Sequence, residues 1–189
     1  MKKIFGSYFK KLLLMLILII IFFILYGFVH EFAHYSACSL LGLKSTISIN
    51  LLQNPPKYQA DCQGINEKGN LGKFFFWSFP YMLSLILIIL YLFLWKLKTF
   101  YMLSIPLAIA MSDIFNLMGF YEWLFGKGQI MNDIFILAVK IPKFYTLILL
   151  AIIGLSITGF ILIYIKTIKA ESKFPLSKKT KKCPNLGCY

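Results

Sequence analysis

Residues 12–29 of this chain read LLLMLILIIIFFILYGFV, and the stretch HEFAH follows directly at residues 30–34. The apolar run contains eighteen residues and no charge. As a helix it would be about 27 Å long, which is enough to cross the hydrocarbon core of a bilayer. The run therefore predicts a transmembrane helix with HEFAH at its far end.

The HEFAH stretch has the spacing of a metal-binding motif. His30 and His34 are four residues apart and share one face of a helix, so both imidazoles can reach a single metal ion. Glu31 lies about 60° around the helix from His34, where it can act as general base on water without being a ligand. The pattern predicts zinc-assisted hydrolysis, and its plainer interpretation is a set of polar residues that marks a helix end.

The composition is that of an integral membrane protein. Hydrophobic residues make up 59% of the 189 residues, and the formal net charge is +13. All of the basic residues are lysines, which collect beside apolar runs and in the C-terminal tail. Anionic lipid headgroups are therefore the expected partner of this charge, and nucleic acid is not. Abundant lysine, isoleucine and phenylalanine without arginine is compatible with a prokaryotic cell membrane.

Three further apolar runs predict an all-α membrane protein with about four transmembrane helices. They cover residues 74–95, 100–120 and 144–165. We expect residues 1–165 to form one transmembrane metalloprotease-like domain and residues 166–189 to form a lysine-rich tail. The four predicted helices put both termini on one side of the membrane, and the lysine distribution favours the cytoplasmic side.

The connections carry weaker signals. Gly42 is a plausible helix C-cap, and residues 45–51 and 57–63 predict a short β-hairpin across a Pro-Pro turn. Asn132 is predicted to cap a short interfacial or re-entrant helix that has Asp133 in its first turn. The four cysteines lack a C-x-x-C spacing and are expected to be free thiols; the roles of Cys183 and Cys188 are left open.

A catalytic zinc site commonly takes three protein ligands, so a third ligand is needed. The candidates are Asp61, Glu67, Asp113, Glu122 and Asp133. Asp113 is the only acid within a predicted span, and a bound cation would offset the cost of holding a carboxylate there. The sequence therefore favours Asp113. Asn116, at the i+3 position, would share its face and could hydrogen-bond the ligand or a substrate backbone.

These residues resemble the site-2-protease-like intramembrane zinc metalloproteases, in a minimal form. The resemblance rests on HEFAH, on Asp113 in the third helix and on the order of the helices across residues 12–120. It implies that His30, His34 and Asp113 bind zinc and that Glu31 activates water. It also implies a membrane protein or peptide as substrate, with a β-structured segment that helps to present it unfolded. The family orientation, unlike the lysine distribution, implies a site near the cytoplasmic face.

Two other functions stay open on the sequence alone. One is a non-catalytic membrane subunit or a small transporter, in which the histidines and acids form an ion or proton path. The other is a different membrane-associated zincin that uses Glu122 as third ligand. The metal content of the purified protein separates the first from a protease, and Asp113 and Glu122 variants separate the second.

Overall fold

Within the residues that the structure describes, the protein forms five helices and one β-hairpin. The structure is a computed structural model that describes residues 2–50, 57–94, 103–125 and 133–173. The two hairpin strands and a 3₁₀ turn at Ile65–Glu67 lie between the first two helices. The elements are α1 (Lys2–Leu40), β1 (Ser45–Asn50), β2 (Lys57–Cys62), α2 (Asn70–Phe93), α3 (Ser104–Leu124), α4 (Asp133–Lys140) and α5 (Lys143–Lys173). The predicted helical class with a hairpin after the first helix is confirmed.

Three helices are long and apolar enough to cross a membrane. The stretches that qualify are Leu12–Leu40, Asn70–Phe93 and Lys143–Lys169. In the third predicted span the apolar part is shorter, Ser104–Met118, so the count of four spans is not confirmed. Polar residues such as Ser112 and Asp113 interrupt the apolar character of α3.

The first span presents most of its surface to the outside of the protein. Only 6% of its most apolar window is buried within the protein. Large apolar side chains along it are about half exposed, including Leu12, Leu16, Ile20 and Ile24. Such a surface is costly in water and is suited to lipid acyl chains.

The chain leaves α1 through a glycine C-cap. Gly42 has φ +71°, a left-handed conformation that glycine adopts without a Cβ penalty. The amide of Leu43 donates to the carbonyl of Cys38, and the amide of Gly42 donates to that of Ser39. These two bonds form a Schellman motif, which ends α1 and turns the chain into β1. The predicted C-cap is confirmed.

The hairpin lies against the end of α1. Its strands pair antiparallel, with Ser45 opposite Cys62 and Ile47 opposite Ala60. The predicted strands are confirmed, whereas the Pro-Pro turn between them lies outside the described residues.

The prediction of free thiols is wrong for one cysteine pair. Cys38 and Cys62 form a disulfide that ties the end of β2 to α1. The two residues are 24 positions apart, and only the folding-back of the hairpin brings them together. Sequence spacing therefore gave no sign of this bond. Cys183 and Cys188 lie outside the described residues.

The short helix α4 is held in the bundle by its apolar face. Ile134 and Leu137 are fully buried in a core that also contains Tyr81, Leu149 and Ile153 from α2 and α5. The predicted short helix beginning at Asp133 is confirmed, and the predicted cap Asn132 lies outside the described residues. This packing fixes the start of α4 close to α1 and α2.

Close packing between α2 and α5 gives a testable prediction. A Cβ at Gly159 would lie 2.6 Å from Cγ2 of Ile88, which is fully buried and branched at Cβ. We therefore expect Gly159→Ala to lower the free energy of unfolding by about 1–3 kcal/mol through overpacking. Thermal or denaturant unfolding in detergent micelles measures the change. Gly154→Ala is the matched control, because a Cβ there meets nothing within 4 Å, and equal losses in both variants would contradict the prediction.

Candidate metal centre

The two histidines of the motif point from α1 into the bundle. His30 and His34 are 8% and 3% exposed, and their ring centroids lie 5.2 Å apart. The His30 ring packs edge-on against Tyr81, and the His34 ring contacts Phe76 and Trp77. All three of these aromatic residues belong to α2, so both imidazoles pack against the same helix.

Asp133 completes a cluster with the two histidines. Its Oδ2 atom lies 2.8 Å from Nε2 of His30 and 2.9 Å from Nε2 of His34. One potential ligand atom from each residue lies within 4.8 Å of the other two. Within the described ranges, this is the one group of three His, Cys, Asp or Glu residues that could hold a metal ion.

Asp113, the ligand that the sequence favours, is not part of this cluster. The Asp113 side chain is fully buried and accepts hydrogen bonds from Ser84 at 3.3 Å and from Ser156 at 2.9 Å. Ser84 also pairs with Tyr26, one turn before His30 on α1. A buried carboxyl group needs hydrogen-bond partners, and the partners of Asp113 are hydroxyl groups.

The other described candidates from the sequence also lie outside the cluster. Asp61 accepts a hydrogen bond from the side chain of Gln59, and Glu67 is exposed in the 3₁₀ turn. Asn116 donates to the carbonyl of Ser112 in its own helix. The side chain of Glu122 lies outside the described residues. Among the described side chains, no acid other than Asp133 joins the two histidines in this cluster.

Glu31 is held by the hairpin. One of its carboxylate oxygens, Oε2, accepts a hydrogen bond of 2.8 Å from the backbone amide of Ala60 in β2. The amide of Ala60 therefore points towards α1, so the outer edge of β2 faces the motif helix. Sequence reasoning predicted the hairpin and the glutamate separately, but it did not predict this contact.

The histidines dominate the electrostatics of Asp133. Burial by itself would raise the pKa of its carboxyl group. The charge of His34 and the hydrogen bonds from both histidines outweigh burial, and together they hold the pKa of Asp133 well below its usual range. This shift belongs to the metal-free cluster, in which a protonated His34 and the Asp133 carboxylate form an ion pair.

The three residues could hold a metal ion. Two imidazole nitrogens and one carboxylate oxygen form a donor set found at catalytic zinc sites. A tetrahedral ion with bonds of about 2.0–2.1 Å keeps its ligand atoms about 3.3 Å apart. The two nitrogen to oxygen distances are 2.8 and 2.9 Å, so the ligands need to open by about half an ångström. The donor set also suits other metals that bind imidazole.

No protein-family model, curated protein or solved structure matches this chain.

Proposed function

We propose that this protein is a membrane-embedded zinc metalloprotease of the site-2-protease-like kind, with His30, His34 and Asp133 as the metal ligands. Its substrate is a membrane protein or a membrane-adjacent peptide. The observation that carries the proposal is the hydrogen-bonding state of His34.

A neutral imidazole of His34 cannot make favourable contacts through both of its ring nitrogens unless a cation lies beside it. Nδ1 lies 3.0 Å from the backbone carbonyl of Phe76, which can only accept, so Nδ1 carries a proton. In the neutral ring, the lone pair of Nε2 would then face the Asp133 carboxylate at 2.9 Å, and two acceptors repel each other. A positive charge is needed between them, either a second proton or a metal ion.

Two features support a metal ion in this position. The same carboxylate oxygen also lies 2.8 Å from Nε2 of His30, so each of the three residues places one possible donor atom within 4.8 Å of the other two. The bond from Nδ1 of His34 to a carbonyl is also the usual outer contact of a metal-ligating histidine, because it leaves Nε2 free to bind.

Glu31 is the proposed general base. It follows His30 directly on α1 and is not one of the three ligands. Its bond from the amide of Ala60 fixes the carboxylate beside the cluster. When bound, zinc would lower the pKa of water and polarise a scissile carbonyl. Glu31 would take the proton of the attacking water and pass it to the leaving amine.

The hairpin supports a role in substrate presentation. The outer edge of β2 runs beside Glu31, because the amide of Ala60 reaches this carboxylate. Because Glu31 already takes the Ala60 amide on this edge, an extended peptide would pair with the opposite edge of the hairpin, on β1, through main-chain hydrogen bonds. Extension matters because the amide groups of a helical substrate are shielded from attack.

A second candidate function is a proton or ion path through the bundle. Asp113 favours it, since this buried acid contacts hydroxyl groups from α2 and α5. Such a path does not require metal in the histidine cluster. Metal content therefore separates the two functions.

The test is metal analysis combined with a cleavage assay. We expect the purified protein to carry about one zinc ion per chain and to cleave quenched fluorescent apolar peptides in the same micelles. The double variant His30→Ala, His34→Ala should lose both properties. Full zinc occupancy in the double variant would contradict the assigned site, and zinc binding without any cleavage would contradict the protease.

A further inference from the structure

A proline interrupts the hydrogen-bond ladder of α2 beside the candidate metal centre. Pro80 lies inside this helix, where every other residue type would donate its backbone amide to the carbonyl four positions earlier. Proline has no amide proton, so the carbonyl of Phe76 loses its partner within the helix. The proline ring also pushes against that carbonyl and tilts it away from the helix axis.

The carbonyl released by Pro80 is the one that binds His34. Nδ1 of His34 donates to the Phe76 oxygen at 3.0 Å. Phe76 is only 2% exposed, so water is a poor alternative for this carbonyl, and a buried carbonyl without a partner is costly. The Phe76 carbonyl, which lacks an amide partner within α2, therefore accepts its hydrogen bond from the imidazole of His34 on α1.

We propose that Pro80 is a positioning residue for the metal ligand His34. By leaving the Phe76 carbonyl free, it fixes the ring orientation of His34 and keeps the proton on Nδ1, so that Nε2 is directed at the metal. The inference rests on the metal site of the proposed function, but it does not depend on peptide cleavage. A merely structural role for Pro80, a bend in α2, makes no demand on the protonation of His34.

The two histidines of the motif differ in this respect. Nδ1 of His30 is buried and has no hydrogen-bond partner among the residues that the structure describes. His34 thus has an orienting carbonyl and His30 does not. We therefore expect a change at residue 80 to affect His34 selectively.

The experiment compares Pro80→Ala with Pro106→Ala. Alanine at position 80 restores an amide that competes for the Phe76 carbonyl, and we expect the affinity for Zn²⁺ to fall by about 10–100-fold, the usual effect of losing such an outer contact. Pro106 is also fully buried, but it is the third residue of α3, and the residue four positions earlier precedes that helix. Pro106→Ala should therefore leave zinc affinity within about twofold of wild type.

Two further measurements separate positioning from folding. The visible spectrum of bound Co²⁺ should change in Pro80→Ala and stay as in wild type in Pro106→Ala. Both variants remove a fully buried proline ring, so their thermal unfolding without metal should shift by similar amounts. In wild type labelled with ¹⁵N-histidine and ¹³C-carbonyl phenylalanine, NMR should detect a coupling between His34 Nδ1 and the Phe76 carbonyl. This second measurement needs no variant to fold.

The outcomes are distinguishable from those of the proposed function. Unchanged zinc affinity in Pro80→Ala, or absence of the NMR coupling in the wild-type protein, would overturn the role of Pro80 and leave the protease proposal standing. If the wild-type protein binds zinc but cleaves no peptide, the protease proposal fails. The comparison of Pro80→Ala with Pro106→Ala still decides the role of Pro80 in that case.

Discussion

Asp133→Ala is expected to lower the affinity for Zn²⁺ by more than about 100-fold, whereas Asp113→Asn leaves it within about twofold of wild type. The reason is that Oδ2 of Asp133 contacts both histidines, at 2.8 and 2.9 Å. Losing an outer contact of a ligand already costs about 10–100-fold, and losing a ligand costs more. Competition of the purified variants with a zinc-binding dye measures both affinities.

Asp113→Asn is the matched control for this prediction. It removes the charge of a fully buried acid; its amide oxygen can still accept a hydrogen bond from one of Ser84 and Ser156, and its NH₂ group can donate to the hydroxyl of the other. We expect its effect to be on the packing of the helices rather than on metal. Loss of zinc in Asp113→Asn with retention in Asp133→Ala would return the third ligand to Asp113.

Glu31→Gln is expected to keep the metal and to lower the rate of peptide cleavage by about 10²–10⁴-fold, the usual contribution of a general base. Glutamine is nearly the same size, and its amide oxygen can still accept the hydrogen bond from the Ala60 amide. It cannot take a proton from water at neutral pH. Zinc content and the initial rate on the same protein sample give the two values.

The same exchange at Glu67 is a suitable control. Glu67 lies exposed in the 3₁₀ turn after the hairpin, so Glu67→Gln removes a charge nearby without touching the cluster. Cleavage at the wild-type rate by Glu31→Gln would exclude Glu31 as the base. Loss of zinc from Glu31→Gln would instead give Glu31 a role in binding metal.

Much of the fold and two of the three residues of the candidate metal centre could be predicted because their signals are local. The spacing of His30 and His34 requires only helix geometry, and Gly42 ends α1 through its own conformational freedom. Alternating polar and apolar residues likewise indicated the hairpin. In each case the sequence signal lies within a few consecutive residues.

The sequence ranks Asp133 below Asp113 because the position of Asp133 depends on contacts across the chain. It lies 103 residues from His30 and 99 from His34, and only the docking of α4 brings them together. From the sequence, Asp133 is an acid at a helix start, and the acid in the most apolar surroundings takes priority. The apolar surroundings of Asp113 indicate that it needs partners, but they do not distinguish hydroxyl groups on α2 and α5 from a metal ion.

The short apolar helix α4 is the sequence feature that bears on the position of Asp133. Its eight residues are too few to cross a bilayer, yet Ile134 and Leu137 need to be buried. A segment of this kind is expected to fold back against its neighbours, and its first residue then enters the bundle. The sequence suggests that Asp133 turns inward, although it does not say which residues it meets.

The Cys38–Cys62 disulfide bears on which side of the membrane the protein works from. Disulfides form and persist in oxidising surroundings and are rare where glutathione and thioredoxin keep thiols reduced. Cys38 lies one helical turn beyond His34, so the bond and the metal cluster belong to the same end of α1. That end is therefore expected on the oxidising, extracytoplasmic side, which agrees with the lysine distribution and not with the family orientation. The proteins that can reach Glu31 would then be those exposed at the outer face of the membrane.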